Sequence, residues 1–209
     1  MSLHLYAATT PSSAAPIEQA LIELDVPHQL TRLDLSAKEH KTPDYLALNP
    51  NGLVPTLVSE EGPLFEACAI LQYLGSRYGA ERGLWPAAGT AEELVARSWS
   101  TWAYSQLQPS IHMLIASSHP MVPDALHHPP LEGYVRGQLK ERLTVLESWL
   151  EGRDYVLGEQ FSLVDVALSS NLAWGKMMGV TTEGLPKVEA WLARCTARPA
   201  FGKSFSAGG

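Results

Sequence analysis

Asn49-Pro50-Asn51-Gly52-Leu53-Val54-Pro55-Thr56-Leu57-Val58 is the stretch that decides the fold, read with Leu64-Phe65-Glu66-Ala67-Cys68-Ala69-Ile70 shortly after it. Pro50 and Gly52 punctuate a turn, and Thr56-Leu57-Val58 supplies β-prone residues for a strand. Pro55 stands where that strand should already be pairing, although a proline cannot donate to a ladder. A tight turn with a cis Val54–Pro55 bond reconciles the two, because X-Pro bonds tolerate cis. The Val54 backbone then lies beside the strand, open to an extended ligand that pairs as an added strand would. Glu66 sits just before an apolar helical pattern, where free N–H groups and the helix dipole favour a bound carboxylate. Its own carboxylate suits a ligand ammonium. Together these features predict a cradle for a small zwitterionic peptide.

Upstream of this stretch, Leu3-His4-Leu5-Tyr6 reads as a short alternating strand. Ile17, Ala20, Leu21 and Leu24 then repeat at the spacing of one buried helical face, with Pro16 near the first turn. Asp25-Val26-Pro27 stops the helix, and Gln29 to Leu35 predicts a second strand parallel to the first. Ser36 to Leu48 is irregular, with a short helix expected around Asp44 to Ala47. Beyond the turn, Glu60 to Pro63 predicts a hairpin, and Ala67 to about Arg77 a helix burying Ile70, Leu71, Leu74 and Tyr78. Residues 79–90 carry several Gly and Pro residues and read as a linker at 80–90 between a 1–79 domain and a 91–209 domain.

Everything after the linker reads as helix. Pro109 predicts a kink or break near Ser105 to Gln106 in a helix running from Ala91 to about Ser118. His119 to Pro130 is a proline-rich loop, and Leu131 to Trp149 shows one apolar stripe. Ser162-Leu163-Val164-Asp165 is a capping-box variant that opens an apolar, central helix. Val188, Trp191, Leu192 and Cys195 mark a last amphipathic helix, closed by Pro199.

The run NPNGLVPTLV, followed by FEACAILQYL, resembles the glutathione-binding half of a cytosolic glutathione S-transferase, and the likeness extends over essentially the whole chain. The resemblance implies an α/β thioredoxin-like N-terminal domain followed by an all-α C-terminal helical domain, glutathione as co-substrate, a homodimer, and sites near the interdomain cleft. It also implies an enzyme that joins the glutathione thiolate to a small hydrophobic electrophile.

That chemistry needs a thiolate near neutral pH, whereas a free thiol titrates well above it. A hydroxyl donor or a helix N-terminus beside the sulfur can stabilise the anion. The loop after the first strand offers Thr9, Thr10, Ser12 and Ser13. Pro11-Ser12-Ser13-Ala14-Ala15-Pro16 is similar to the bacterial branch of the family, where a cysteine takes the place of Ser12. Ser12 is therefore the first candidate for the catalytic hydroxyl, with Thr10 and Ser13 as substitutes and Tyr6 as the other family option. The alternation of Tyr6 with Leu5 favours packing for it, and an N-cap of the first helix is the ordinary use of Ser12.

Carried over residue by residue, the resemblance places Glu66 on the γ-glutamyl ammonium and Val54, set by Pro55, on the cysteinyl backbone. His40 would touch the glycine carboxylate. Two positions depart from the family pattern. Ala67 stands where a serine usually holds the γ-glutamyl carboxylate, so the N–H survives and the hydroxyl bond, roughly 0.5–1.5 kcal/mol, is lost. Leu53 stands where a lysine or glutamine often reaches the peptide carboxylate. Both departures predict weakened glutathione binding. Trp102, Gln108, His112, Met113 and Trp174 are candidates for the wall of the second-substrate pocket.

Composition excludes several other classes. The chain has 209 residues, a formal net charge of −7 and no basic run, which argues against a nucleic-acid footprint. Met1 to Tyr6 lacks the pattern of a signal peptide, and no apolar segment reaches membrane-spanning length. Cys68 and Cys195 are the sole cysteines and both fall in helical patterns, so reduced thiols and a cytoplasmic setting are expected. No cluster has metal-ligand spacing, His127-His128 included. Two rival functions stand beside the transferase: glutathione-dependent isomerisation, faintly suggested by Ser12-Ser13, and a non-catalytic binding or stress-regulatory module, favoured by Ala67 and Leu53.

Overall fold

The computed structural model describes residues 3–10 and 12–206, without the side chains of 205 and 206. Met1 and Ser2 of the N-terminal reading, and Pro11 of the hydroxyl-rich loop, lie outside the described residues. The chain divides into two compact units, Met1–Glu93 with Ala197–Gly209 and Leu94–Thr196.

The first unit is built on a four-stranded sheet in the order β2-β1-β3-β4. Strand β1 (Leu3–Ala8) buries Leu3, Leu5 and Ala7 on one face and turns His4 and Tyr6 to the other. It runs beyond Tyr6, where the sequence reading ends it, because Ala7 and Ala8 pair with Arg32 and Leu33 of the parallel strand β2 (His28–Leu33). Helix α1 (Ala15–Glu23) joins them and fully buries Ile17, Ala20 and Leu21, with Leu24 just past its end. β2 stops at Leu33, short of the expected Leu35, because the Asp34 carboxylate accepts from the Ser36 and Ala37 N–H groups and turns the chain. After helix α2 (Pro43–Leu48), β3 (Thr56–Ser59) pairs antiparallel with β1, and β4 (Gly62–Phe65) pairs antiparallel with β3. The sheet is therefore mixed, with β1 and β2 as its parallel pair.

Helix α3 (Ala67–Leu74) buries Ile70, Leu71 and Leu74 and packs on α1, β3 and β4. It ends earlier than expected, in a π-helical turn over Gly75–Gly79 that leaves Tyr78 half-buried. Trp85 packs against this turn. It is 3% exposed and lies so close to Gly75 that a Cβ there would come within 2.4 Å of the indole. The segment expected as a linker thus carries a buried anchor.

The second unit is helical. Helix α4 (Ala91–Trp102) passes through a π-helical turn at Ala103–Leu107 into α5 (Gln108–Ser118). The break falls where Pro109 removes an N–H and crowds the carbonyl four residues earlier. Helices α6 (Pro129–Trp149), α7 (Leu163–Met177) and α8 (Pro186–Thr196) follow. Every residue from Leu163 to Leu172 of α7 is buried, as expected for the central helix. Its N-terminus is organised by Asp165, whose fully buried carboxylate accepts from the Ser162 N–H (2.8 Å), the Ser162 hydroxyl (2.8 Å), the Val156 N–H (2.9 Å) and the Trp191 indole (2.8 Å). Glu147 of α6 accepts from the Lys187 and Val188 N–H groups and so caps α8.

Helix α9 (Pro199–Ser206) belongs to the first unit, although the sequence reading places all of 91–209 together. It packs on α1, and just before it Arg198 donates Nε–H to Glu23 at 2.7 Å. Among the described residues, no helix is long and apolar enough to cross a membrane.

Candidate functional site

The topology brings the quoted motifs to one end of the sheet. Thr56 lies between Tyr6 of β1 and Phe65 of β4 in the ladder. β1 leaves the sheet at this end, β3 enters it, and β4 leaves it. Hence the hydroxyl-bearing loop after Ala8, the Val54–Pro55 turn and Glu66 converge on one edge of the first unit.

The turn is held from below. Val54–Pro55 is cis, as the conflict between Pro55 and its strand implies. The Leu53 carbonyl accepts from the Tyr45 hydroxyl at 2.6 Å and from the Asn49 amide at 2.8 Å. The Asn49 amide also donates to the Thr56 hydroxyl at 3.1 Å, and that hydroxyl in turn donates to the Tyr45 oxygen at 2.8 Å. Tyr45, Asn49 and Thr56 are all buried, and burial raises the Tyr45 pKa, so the phenol stays a donor. Gly52 adopts φ +55, and a Cβ on it would come within 2.8 Å of the His40 carbonyl and the Lys41 Nζ. Only glycine lets the 40–41 segment lie this close. Lys41 donates to the Asn51 and Gly52 carbonyls at 3.0 and 2.7 Å.

Of the candidate hydroxyls, Ser13 is committed. It donates to the Val54 carbonyl at 2.8 Å and ties the loop to the turn. Ser12 does not cap α1 as a helix N-cap would, since Ala14 occupies that place. Its half-buried Oγ accepts from the Ala14 N–H at 3.3 Å in a local turn, which leaves its own O–H available. Thr10 is exposed. Tyr6 stacks on His4 with centroids 4.3 Å apart and meets Tyr45 edge-on at 5.6 Å, on the face of the sheet opposite Leu5.

Glu66 is exposed and stands just before α3 at φ +71, ψ +117, a region that non-glycine residues rarely enter. Such strain at a non-glycine residue marks candidate functional positions. Ala67 opens α3, so its N–H has no intrahelical acceptor. No hydrogen bond among the described residues uses the Val54 N–H. The His40 Nδ1 is buried and lacks a hydrogen-bond partner among the described residues. A buried polar atom of this kind calls for an explanation. Leu53, whose carbonyl is so firmly held, is itself 58% exposed. The sequence reading misses Tyr45, Asn49 and Lys41. Asn49 had a legible signal, because an Asn two residues before a turn amide commonly accepts from it, as it does here from the Asn51 N–H at 3.1 Å.

Within the second unit, His112 and Trp174 meet edge to face with centroids 5.1 Å apart, and Met113 beside them is 43% exposed. Desolvation by its neighbours lowers the His112 pKa. Trp102 instead packs on Trp99, which also meets Trp149, and Gln108 is half-buried at the start of α5. His127 and His128 both have local roles. The first contacts the His119 carbonyl at 3.2 Å, and the second accepts from the Leu131 N–H at 3.1 Å to cap α6. No group of metal-ligating side chains comes together among the described residues.

Residues 1–76 match the glutathione S-transferase N-terminal domain, and residues 111–199 match the C-terminal domain of the same family. Glutathione S-transferase 3 of Zea mays is 32% identical over 98% of this chain and 94% of its own length. The chain belongs to the glutathione S-transferase family. Among solved structures, a theta-class glutathione S-transferase from Xanthomonas axonopodis pv. citri, with glutathione bound, is similar at 26% identity and a TM-score of 0.85, covering 98% of this chain and 97% of that one. A transferase from Phanerochaete chrysosporium in complex with oxidized glutathione shares the fold at a TM-score of 0.88 and 24% identity, over 99% of this chain and 96% of that one. The thioredoxin-like sheet domain and the helical domain are thus the two parts of the family fold.

Proposed function

We propose that the chain is a glutathione transferase that adds the glutathione thiolate to small hydrophobic electrophiles. The observation that carries this reading is the convergence of the Val54–Pro55 turn, the strained Glu66 and the hydroxyl loop on one sheet edge, with Ser13 joined to Val54 at 2.8 Å. Glutathione would lie extended along the turn and pair through the free Val54 N–H. Glu66 would take its α-ammonium and the Ala67 N–H its α-carboxylate. His40 and the turn-bound Lys41 would face the glycine carboxylate.

Ser12 is assigned to the sulfur, since Ser13 is occupied by Val54. Its O–H would donate to the thiolate once the thiol proton has left to solvent. The sulfur lone pair then forms the C–S bond, and the electrophile either releases its leaving group as an anion or takes up a proton after addition. The rate gain comes from stabilising the anion and from holding both reactants together. His112, Met113 and Trp174 are assigned to the electrophile, with Trp102 and Gln108 secondary. A homodimer in the cytoplasm is the assembly and setting that suit the family.

Calorimetry with glutathione, followed by a conjugation assay with an activated chloroarene, tests the reading. Sub-millimolar binding and thioether formation are expected. Absence of heat at several millimolar glutathione, in wild type and in Ala67→Ser alike, would overturn it in favour of a binding module for another ligand.

A further inference from the structure

We infer that Glu18 and Arg32 form a positioning clamp that sets where the loop hydroxyls stand, and hence how strongly they acidify a bound thiol; this rests on the transferase reading above. Arg32 lies on the outer strand β2, next to Ala7 in the ladder. Its Nη1 donates to the Ala8 carbonyl at 3.0 Å and to Glu18 Oε1 at 3.1 Å, and its Nη2 donates to Glu18 Oε2 at 2.7 Å. Ala8 is the last residue of β1, and Glu18 lies in the first turn of α1. One guanidinium therefore grips both ends of the segment that carries Thr10, Ser12 and Ser13.

The arrangement is costly unless complete. Glu18 has only 8% of its side chain exposed and Arg32 26%, so a lone survivor of the pair would be a poorly solvated charge. An apolar pair of similar volume would join α1 to β2 without that cost. What such a pair lacks is the bond to the Ala8 carbonyl and the fixed fork geometry of a guanidinium on a carboxylate. The far side of the loop is fixed separately, by Ser13 on Val54. With both tethers in place, the half-buried Ser12 between them has little room to shift. A displacement of about 1 Å in a positioning element can cost on the order of a hundredfold in rate. The clamp touches none of the groups that would hold the glutathione backbone, so its loss should spare binding.

The test uses the full chain as the double variant Glu18→Leu/Arg32→Met and, separately, Arg32→Lys, which keeps a cation but replaces the planar two-nitrogen fork with a single point of contact. The thiol pKa of bound glutathione is read from the pH profile of conjugation and from thiolate absorbance, alongside the glutathione Kd and Tm. In folded variants we expect kcat to fall about tenfold. The acid limb should move to higher pH, and Kd should stay within about twofold, where uniform loss of binding would raise it. A wild-type acid limb in either folded variant overturns the clamp, provided Ser12→Ala moves that limb. If Ser12→Ala also leaves it unmoved, the hydroxyl-loop reading itself fails and the clamp with it. Should the double variant not fold, Arg32→Lys alone decides.

Discussion

The Ser13 hydroxyl donates to the Val54 carbonyl at 2.8 Å, across forty-one residues of chain. It joins the loop that would activate a thiol to the turn that would hold the same ligand's backbone, so on the proposed reading the neighbouring serines would divide two tasks. Ser13→Ala should loosen the turn and raise the glutathione KM several-fold, since a lost hydrogen bond is worth about 1 kcal/mol. Ser12→Ala should instead lower kcat and raise the thiol pKa. Steady-state kinetics over a pH range separates the two, and identical behaviour of both variants would contradict the division.

Ala67→Ser restores a hydroxyl beside a helix N-terminal N–H. If glutathione's carboxylate sits there, the affinity should rise by roughly threefold to tenfold, the worth of one hydrogen bond. Titration calorimetry reads this directly. Leu53→Gln, at a 58% exposed position, should add to it without changing Tm.

Tyr45→Phe removes one of two donors to the Leu53 carbonyl and one of two partners of Thr56, both of which keep Asn49. The expected loss is about 1 kcal/mol in denaturant unfolding. Asn49→Ala in the same background should cost more than it does alone, because it strips the Leu53 carbonyl and the Thr56 hydroxyl of both of these partners.

Asp165→Ala leaves the Ser162 N–H and hydroxyl, the Val156 N–H and the Trp191 indole without their shared acceptor. Buried orphans cost roughly 1–3 kcal/mol each, so destabilisation of at least about 4 kcal/mol is expected. Chemical denaturation measures it. Burial raises the carboxyl pKa while these donors oppose the rise.

His112 supplies a pH dependence. Its pKa is lowered by desolvation from an ordinary 6.5, so the unfolded chain takes up the proton first as pH falls. Its contribution to stability is complete above pH 6.5 and declines as pH drops below it. Trp174→Ala should return the ring toward its ordinary titration, visible by NMR, and flatten the acid side of the Tm profile.

Much of the fold was legible because it is written in local periodicity. The α1 face at Ile17, Ala20 and Leu21 follows from spacing, the kink before Pro109 from the proline itself, and the central α7 from its capping box and all-round apolar composition. The cis bond was legible from a conflict, a proline where a strand begins. What escaped depends on partners far along the chain. Tyr45 reads as an ordinary helical aromatic until β3 brings Thr56 beneath it. Gly75 reads as a helix-interior glycine and Gly79 as a linker glycine until Trp85 packs on them. Arg32 carries no signal of its own in the sequence, and only the fold places it between Ala8 and Glu18.

The return of α9 to the first unit makes the helical unit an insertion within it. The Arg198–Glu23 pair closes a circuit of 175 residues. A ribosome that has delivered the whole β-sheet has therefore not yet delivered the helix that covers α1. The sheet unit cannot complete its packing until the inserted helices have been synthesised, and a cut in the 80–90 segment would release a fragment with that surface of α1 bare. For this chain, order of synthesis and order of completion run opposite ways, the inserted unit having all its residues first.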